Sequence, residues 1–332
     1  MSRLEKLLAA LAVLPFGLGF SVGGATPAPV DNEVVFAFAD PAIIESSGLA
    51  VRDGLFATVN DSGDSGRVFT VDPADGSTVA VTAWEGEPDD VEAIAPLPDG
   101  DLLVGDIGDN YADRDSVELL RVPFGTDGAV DPATYELRYP DGAHDAETLL
   151  VHPDTGQVMV VAKEFIGRLY AAPVELDQDG TNELELLGEV LPIATDGAFF
   201  PDGSHFVLRG YSTATFYAWP SLDEVGEVDL PYQEQGEGIA VGQDGQVYVS
   251  SEGENSEVLR IGLPRSLRAE LDGTADDPDR NGDRGRYRDD GGTRTDDDEP
   301  AQDVTRPFWP WALGGVVGAL ILVVLLRALR PR

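Results

Sequence analysis

Five acidic residues recur along the middle of the chain, at intervals of 47, 55, 49 and 41 residues: Glu45, Glu92, Glu147, Asp196 and Glu237. Each precedes a short apolar run, a turn that contains glycine and a second apolar run, as in EGIAVGQDGQVYVSSE from Glu237. Carboxylates that folding brings together repel one another unless something compensates their charge. A Ca²⁺ ion would do so, because it is a hard cation that takes about six to eight oxygen ligands. The chain has no cysteine and three histidines, so softer metals would find few ligands.

The elements that would position these acids are short β-strands. In most repeats a third and a fourth strand follow the first two, for example RVFTVDP and TVAVTAW in the first repeat. Four short strands at such intervals are typical of a β-propeller blade. The fifth repeat lacks a fourth strand, but EVVFAFA at residues 33–39 can complete it and close the ring. The sequence therefore predicts an all-β fold, a five-bladed β-propeller over residues 33–264, with six blades as the alternative if one long repeat is misjudged.

A propeller would bring the recurring acids to one end of its axis. Antiparallel pairing places the start of each first strand beside the end of the second, and the first strand lines the axis. We therefore predict a metal site at one mouth of the central channel, with Glu92 and Asp106 as the best pair. The predicted ligands are Glu45, Glu92, Asp106, Glu147, Asp196 and Glu237. Two alternatives stay open, namely ion pairs with Lys163 and Arg209, or a channel wide enough for water to screen the carboxylates.

The repeated run of an acid, apolar residues and Asp-Gly resembles a known group. Best seen in EGIAVGQDGQVYVSSEG, it is similar to the calcium-dependent propellers of the gluconolactonase, paraoxonase and phytase-like group, over about 230 residues. The resemblance implies a bound Ca²⁺ ion, with Glu45 and Asp196 at the positions that match ligands in the lactonase branch. That branch has asparagines between these two positions, where this chain has Glu92 and Glu147.

Two functions are compatible with this site. The first is a binding module for an extracellular ligand, with Ca²⁺ as a structural or bridging ion. The second is a calcium-dependent hydrolase of an ester, lactone or phosphoester. In the hydrolase, Glu92 would act as the base and Lys163 and Arg209 would orient an anionic group. The fold does not choose between them.

The two ends of the chain predict export and anchoring at the cell membrane. Residues 1–25 have the basic start and apolar core of a signal peptide, and residues 265–306 predict a charged, disordered stalk. Residues 308–326 are apolar enough for a single transmembrane helix, and the basic residues of the tail, 327–332, indicate a cytoplasmic C-terminus. The net charge of −39 argues against nucleic acid as a partner, while the ligand and the oligomeric state stay open.

Overall fold

Short apolar strands joined by tight turns form five sheets in the computed structural model, which describes residues 31–61 and 63–273. The predicted signal peptide, transmembrane helix and cytoplasmic tail lie outside these residues, as does the predicted stalk from residue 274 onward. None of the helical structure in the described ranges is long and apolar enough to span a bilayer.

The described residues contain 22 strands and one short helix. In chain order they are β1 (Asp31–Ala37), β2 (Ser46–Arg52), β3 (Leu55–Asn60), β4 (Arg67–Asp72), β5 (Ser77–Trp84), β6 (Val91–Pro96), β7 (Asp101–Asp106), β8 (Val117–Pro123), β9 (Gly128–Val130), β10 (Ala133–Arg138), β11 (Ala146–Val151), β12 (Val158–Ala162), β13 (Gly167–Ala171), β14 (Thr181–Glu183), β15 (Glu185–Val190), β16 (Asp196–Phe199), β17 (His205–Arg209), β18 (Thr213–Ala218), β19 (Glu224–Asp229), β20 (Ile239–Val241), β21 (Val247–Val249), β22 (Glu257–Gly262) and α1 (Arg265–Leu271).

Each sheet is one blade of a propeller. Blade 1 has the strand order β2-β3-β4-β5-β9, blade 2 β6-β7-β8-β10-β14, blade 3 β11-β12-β13-β15 and blade 4 β16-β17-β18-β19. Blade 5 has the order β20-β21-β22-β1. The inner strands β2, β6, β11, β16 and β20 contact one another in sequence around a common axis. The prediction of an all-β, five-bladed propeller is therefore confirmed.

The long repeats do not hide a sixth blade. Strand β9 lies within the longest interval between recurring acids, and it pairs in parallel with β5 at the outer edge of blade 1. Strand β14 does the same one blade later, pairing in parallel with β10 of blade 2. The extra residues of these two repeats thus pair with the outer strand of the preceding blade and cover its sheet edge.

The N-terminal strand closes the ring, as the sequence predicts. Strand β1 pairs antiparallel with β22, in a register that runs from Asp31 opposite Gly262 to Ala37 opposite Glu257. Beyond the strand, the Phe38 N–H donates to the carbonyl of Ser256 at 3.0 Å. The last blade therefore combines the two ends of the described chain, so the ring has no open seam.

The hydrophobic core consists of five clusters, one at each interface between neighbouring blades. Successive residues of a central strand face opposite interfaces: Val160 packs with Leu103 of blade 2, whereas Val161 packs with Phe206 of blade 4. Because both faces of such a strand are buried, the strands are apolar throughout instead of alternating with polar residues.

The folded body continues past residue 264, where the sequence predicts the stalk to begin. Helix α1 buries Leu267 and Leu271 in the cluster between blades 4 and 5. The side chain of Leu267 passes over Gly226 of β19, where an added Cβ would lie 2.8 Å from the leucine Cδ1. The absence of a side chain at Gly226 therefore makes room for the helix.

Candidate functional site

The axis of the propeller has two different ends. We call the end where the inner strands begin the acidic mouth; it is formed by Asp61, Asp90, Glu92, Glu147, Lys163, Glu237 and Glu252. We call the opposite end, where tight turns lead from each first strand to the second, the turn mouth; its turn glycines are Gly54, Gly100, Gly156, Gly203 and Gly245. All five glycines have φ between 68° and 117°, a left-handed conformation that favours glycine.

Irregular strand pairing aims two glutamates at the acidic mouth. The register of the inner strand shifts at Glu92 in blade 2 and at Glu147 in blade 3. An unpaired residue of this kind forms a β-bulge, which redirects its side chain relative to the regular strand. Both side chains end up buried, with Glu92 4% and Glu147 8% exposed.

Blade 1 carries a serine at the equivalent position. The carbonyl groups of Glu45 and Asp90 accept equivalent hydrogen bonds from backbone N–H groups just beyond the second strands of their blades. Glu45 therefore corresponds to Asp90, and Ser47, two residues later, corresponds to Glu92. Ser47 is buried, whereas Glu45 is exposed. The structure thus does not place Glu45 with the buried acids, contrary to the pattern predicted from the sequence.

Three carboxylates form the tightest cluster of the acidic mouth. Asp61 follows β3, Asp90 precedes β6 and Glu92 lies in the bulge of β6, and one oxygen from each lies within 4.8 Å of the other two. Two oxygens that share a Ca²⁺ ion at about 2.3–2.6 Å are at most about 5 Å apart, so this spacing fits the ion. The donor set also fits, because all three ligands are carboxylate oxygens.

Glu92 lies in surroundings that oppose its negative charge. Its Oε2 is 2.9 Å from the hydroxyl of Ser47, which is its hydrogen-bond donor. Burial raises the pKa of Glu92 to about 10, and the charges of Glu147, Asp61 and Asp90 act in the same direction. Burial and the charge of Asp61 likewise raise the pKa of Asp90. A bound cation would reverse these effects by favouring the ionised carboxylates.

Lys163 compensates one acid of the mouth. It follows β12 and forms an ion pair with Glu147, and its Nζ lies 5.4 Å from the centroid of the Tyr211 ring. Burial opposes the charge of Lys163, but the adjacent Glu147 raises the pKa of the ammonium above its usual value. Within the described residues, Glu147 Oε2 is buried without a hydrogen-bond partner. The predicted ion-pair alternative therefore holds for this blade.

Glu237 of blade 5 is a third buried acid of the mouth. It is 5% exposed, and its Oε2 has no hydrogen-bond partner in the described part of the chain. Burial raises the pKa of Glu237 to about 7, against the effects of Lys163 and Arg209 and with those of Glu252 and Asp61. A carboxyl group in this range changes its charge near neutral pH.

Asp196 of blade 4 is a structural residue of the axis. Its oxygens accept hydrogen bonds from the backbone N–H groups of Gly197 at 2.8 Å, Ile239 at 2.8 Å and Leu49 at 3.2 Å. Leu49 belongs to blade 1, which is not a neighbour of blade 4, so the carboxylate bridges across the axis. Both oxygens are engaged, and Asp196 lies outside the cluster of Asp61, Asp90 and Glu92, although the sequence predicts it as a metal ligand.

Arg209 is also part of the core and not of an anion-binding surface. Its Nη1 donates to the carbonyls of Gly238 and Ser250, each at 2.7 Å, and Nη2 donates to the Gln233 side chain at 3.0 Å. Arg209 pairs directly with Asp196 in a regular register and is fully buried. Burial lowers the pKa of Arg209 to about 10, so the guanidinium stays charged at neutral pH.

Asp106 positions the loop that carries Asp90. Its two oxygens accept from the backbone N–H groups of Asp89 at 2.8 Å and Asp90 at 2.9 Å, and Arg114 Nη1 lies 2.9 Å away. These donors offset the charge of Asp106, which is 4% exposed. The predicted pair of Glu92 with Asp106 is thus replaced by Glu92 with Asp61 and Asp90.

The sequence prediction does not include Asp61 or Asp90 among the ligands. Both residues lie in loops next to strand ends, and loop residues have no periodic pattern that reveals their neighbours. The available signal is positional: Asp61 directly follows a second strand, and Asp90 comes two residues before a recurring acid.

Fold and site together define the chain as a five-bladed β-propeller with a partly buried acidic cluster at one end of its axis. No protein-family model matches the chain, and no curated protein matches it in sequence. Among solved structures it is similar to streptogramin B lyase, with a TM-score of 0.37 and 13% identity, covering 66% of this chain. The chain spans 65% of the length of that protein. A likeness at this level carries no argument about activity.

Proposed function

We propose that this chain is a cell-surface binding module that holds Ca²⁺ at the acidic mouth through Asp61, Asp90 and Glu92. The observation that supports it best is the approach of three carboxylate oxygens within 4.8 Å of one another. The buried Oε2 atoms of Glu147 and Glu237, which have no hydrogen-bond partner among the described residues, are a second and independent indication that a cation belongs here.

We infer from the coordination number that the ion also contacts a ligand. Three carboxylates supply between three and six oxygens, whereas Ca²⁺ takes about six to eight. The remaining positions would take oxygen atoms of water or of a bound ligand. The signal peptide and transmembrane segment that the sequence predicts would place this mouth outside the cell, tethered to the membrane.

The hydrolase alternative has weaker support. It requires Glu92 as a general base, yet burial and neighbouring charges raise the pKa of Glu92 to about 10. A carboxyl group that keeps its proton at neutral pH accepts no second proton, and one that binds the cation is no longer free to do so. Arg209, which would orient an anionic group, is fully buried.

Thermal unfolding with and without Ca²⁺ tests the proposal. A fragment of residues 27–277, which contains every described strand and helix α1, can be compared with the full chain. At a Ca²⁺ concentration of about 100 times Kd, binding stabilises the native state by about 2.7 kcal/mol, which for a domain of this size raises Tm by about 5–10 °C. Calorimetric titration gives the stoichiometry, expected to be one ion.

Two variants separate the ligands from the general charge of this face. Asp61→Asn should abolish the Ca²⁺-dependent rise in Tm, because it removes a clustered carboxylate. Glu45→Gln removes the same charge from an exposed residue of the same face and should leave the rise intact. A Tm that Ca²⁺ does not change in the parent protein rejects the cation site. Equal loss in both variants rejects the assigned ligands.

A further inference from the structure

Among the described residues, the large aromatic side chains that are exposed all lie in the loops of the acidic mouth. They lie in the β7–β8, β12–β13, β17–β18 and β19–β20 loops and are 46–91% exposed: Tyr111, Phe165, Tyr211 and Tyr232. Loops that follow a second strand or lead to the next inner strand all reach this end of the propeller. In the described part of the chain, the large exposed apolar residues of the outer strands are aliphatic, among them Val79, Leu186 and Leu187.

The structure contains one example of how these groups bind a cation. The ammonium of Lys163 contacts the Glu147 carboxylate and lies 5.4 Å from the Tyr211 ring centroid. A cation at this distance from an aromatic face is attracted by the electrons of the ring. The mouth therefore already combines the two partners, a carboxylate and an aromatic ring, that recognise an amine or a guanidinium.

A second acid of the mouth lacks such a partner. Glu237 is only 5% exposed, and its Oε2 has no hydrogen-bond partner among the described residues. The charges of Lys163, Glu252 and Asp61 act on this carboxyl group, which places it in the same mouth. A positively charged group that entered the mouth would provide the missing donor.

The charge of the whole chain favours the same kind of partner. Its net charge is −39, which attracts basic molecules over a long range and repels acidic ones. The aromatic residues lie on loops of three different blades, so their footprint is wider than a single amine. A ligand that contacts several rings at once must carry several cations along an extended chain.

We propose that the acidic mouth and its aromatic loops bind a basic segment of a polypeptide, whose lysine and arginine side chains pack on the exposed rings and pair with the carboxylates. This inference goes beyond cation binding and does not depend on it. The rings of Phe165 and Tyr232, at 90% and 91% exposure, are the most accessible contacts.

The probe is a fluorescently labelled twelve-residue peptide of alternating arginine and glycine, with glutamate in place of arginine as the peptide control. Anisotropy is measured with the purified full chain in metal-free buffer at about 0.15 M salt, where long-range attraction is screened beyond about 8 Å. A parallel series with Ca²⁺ reports on the cation site, so failure of one proposal does not affect the test of the other.

A pair of double variants separates recognition from general attraction. Phe165→Ser with Tyr232→Ser removes two rings, and Leu186→Ser with Leu187→Ser removes two exposed aliphatic side chains from the outer strand of blade 3; neither changes the net charge. Loss of two cation–ring contacts should weaken binding about 5- to 30-fold. The control pair should bind like the parent.

Three results would overturn the proposal. The first is equal affinity of both double variants for the arginine peptide, which would mean attraction by charge alone. The second is no binding of the peptide at this salt concentration. The third is a spermine affinity that matches the peptide and falls by the same factor in the aromatic variant, which would assign the face to small polyamines.

Discussion

Aspartates at the turn mouth bond to their own turns, whereas those at the acidic mouth face other carboxylates. Asp202 and Asp244 each accept a hydrogen bond from the backbone N–H two residues further on, at 3.0 Å. Asp61 and Asp90 instead lie next to Glu92. Aspartate thus accepts the hydrogen bonds of a turn at one end, whereas at the other end its negative charge is repelled by neighbouring carboxylates.

A cavity of about 480 Å³ lies along the inner strands on the turn-mouth side, lined largely by aliphatic side chains such as Leu49, Ile94 and Val151. The acidic mouth lies beyond Asp196, whose carboxylate links blades 4, 5 and 1 across the axis. The turns complete their own hydrogen bonds, whereas Glu147 and Glu237 at the acidic mouth each keep a buried oxygen without a partner among the described residues, so our proposal places ligand binding at the acidic mouth.

The largest expected effect comes from the buried arginine of blade 4, Arg209. Arg209→Met leaves the carbonyls of Gly238 and Ser250 without their donor and the nearby acids without a buried positive charge. We expect a loss of about 3–5 kcal/mol in the free energy of unfolding, measured by urea denaturation. Arg260→Met, at an exposed ion pair with Glu33, should cost less than about 1 kcal/mol. Similar losses in the two variants would contradict the structural role of Arg209.

The pH dependence should reveal the raised pKa values of the acidic mouth. Those of Glu237, Glu147 and Glu92 are about 7, 8 and 10, against a usual value of 4.5. The native state therefore holds more protons than the unfolded state above pH 4.5, so the cation-free protein loses stability as pH rises from there through these values. Cations compete with the same protons, and Ca²⁺ affinity should increase up to about tenfold per pH unit for each displaced proton.

Melting curves at pH 6, 7 and 8, with and without Ca²⁺, measure both trends. The difference in Tm that Ca²⁺ produces should grow with pH. In Glu92→Gln the cation-free protein should lose less stability as pH rises, because a neutral amide replaces a group that resists ionisation. A Ca²⁺ effect of constant size over this range would mean that protons and the cation do not share these carboxylates.

Two glycines of the turn mouth provide a matched test of backbone strain. Gly203 and Gly54 both have positive φ, 68° and 81°, but an added Cβ at Gly203 would lie 2.9 Å from His152 whereas that at Gly54 meets open space. Gly54→Ala should cost about 1–2 kcal/mol and Gly203→Ala more than that. Both should keep the Ca²⁺-dependent rise in Tm, and its loss in Gly54→Ala would undermine the separation of the two mouths.

The smallest effect is expected for a charge removed from the turn mouth. Asp53→Asn is the same chemical change as Asp61→Asn at the opposite end, and asparagine tolerates the positive φ of 51° at this position. Its free energy of unfolding should stay within about 0.5 kcal/mol of the parent, and its calorimetric Ca²⁺ titration should be unchanged. A weakened Ca²⁺ affinity here would indicate an effect of total charge.

The fold could be predicted from the sequence because its determinants repeat. The acid, the turn glycine and the apolar runs recur in every blade. The strand predicted at residues 33–39 belongs to no repeat, and the fifth repeat is the one that lacks a fourth strand. The boundaries were less predictable. Helix α1 lies in a segment whose charges indicate disorder, and only the packing of Leu267 and Leu271 shows why it folds.

The site could be predicted only in part, because side-chain direction depends on details that a pattern does not contain. The structure brings the acids of blades 2, 3 and 5, Glu92, Glu147 and Glu237, near one another. In blade 1 the sequence pattern selects Glu45, whereas the strand pairing shows that Ser47 is the residue equivalent to Glu92. In blade 4 the regular pairing of Asp196 with Arg209 directs both side chains into the core. Nothing in the repeat predicts that difference.

Ring closure by the first strand has a consequence for the order of events during synthesis. Strand β1 is made before every other described element, but its partner β22 is the last strand to be completed. Until then residues 31–37 have no ladder to join, and their backbone N–H and C=O groups can pair with another chain. A nascent chain that stops before residue 257 therefore has four blades, an incomplete fifth and an unpaired strand β1. Pairing of β1 with another chain is prevented only once β22 has formed.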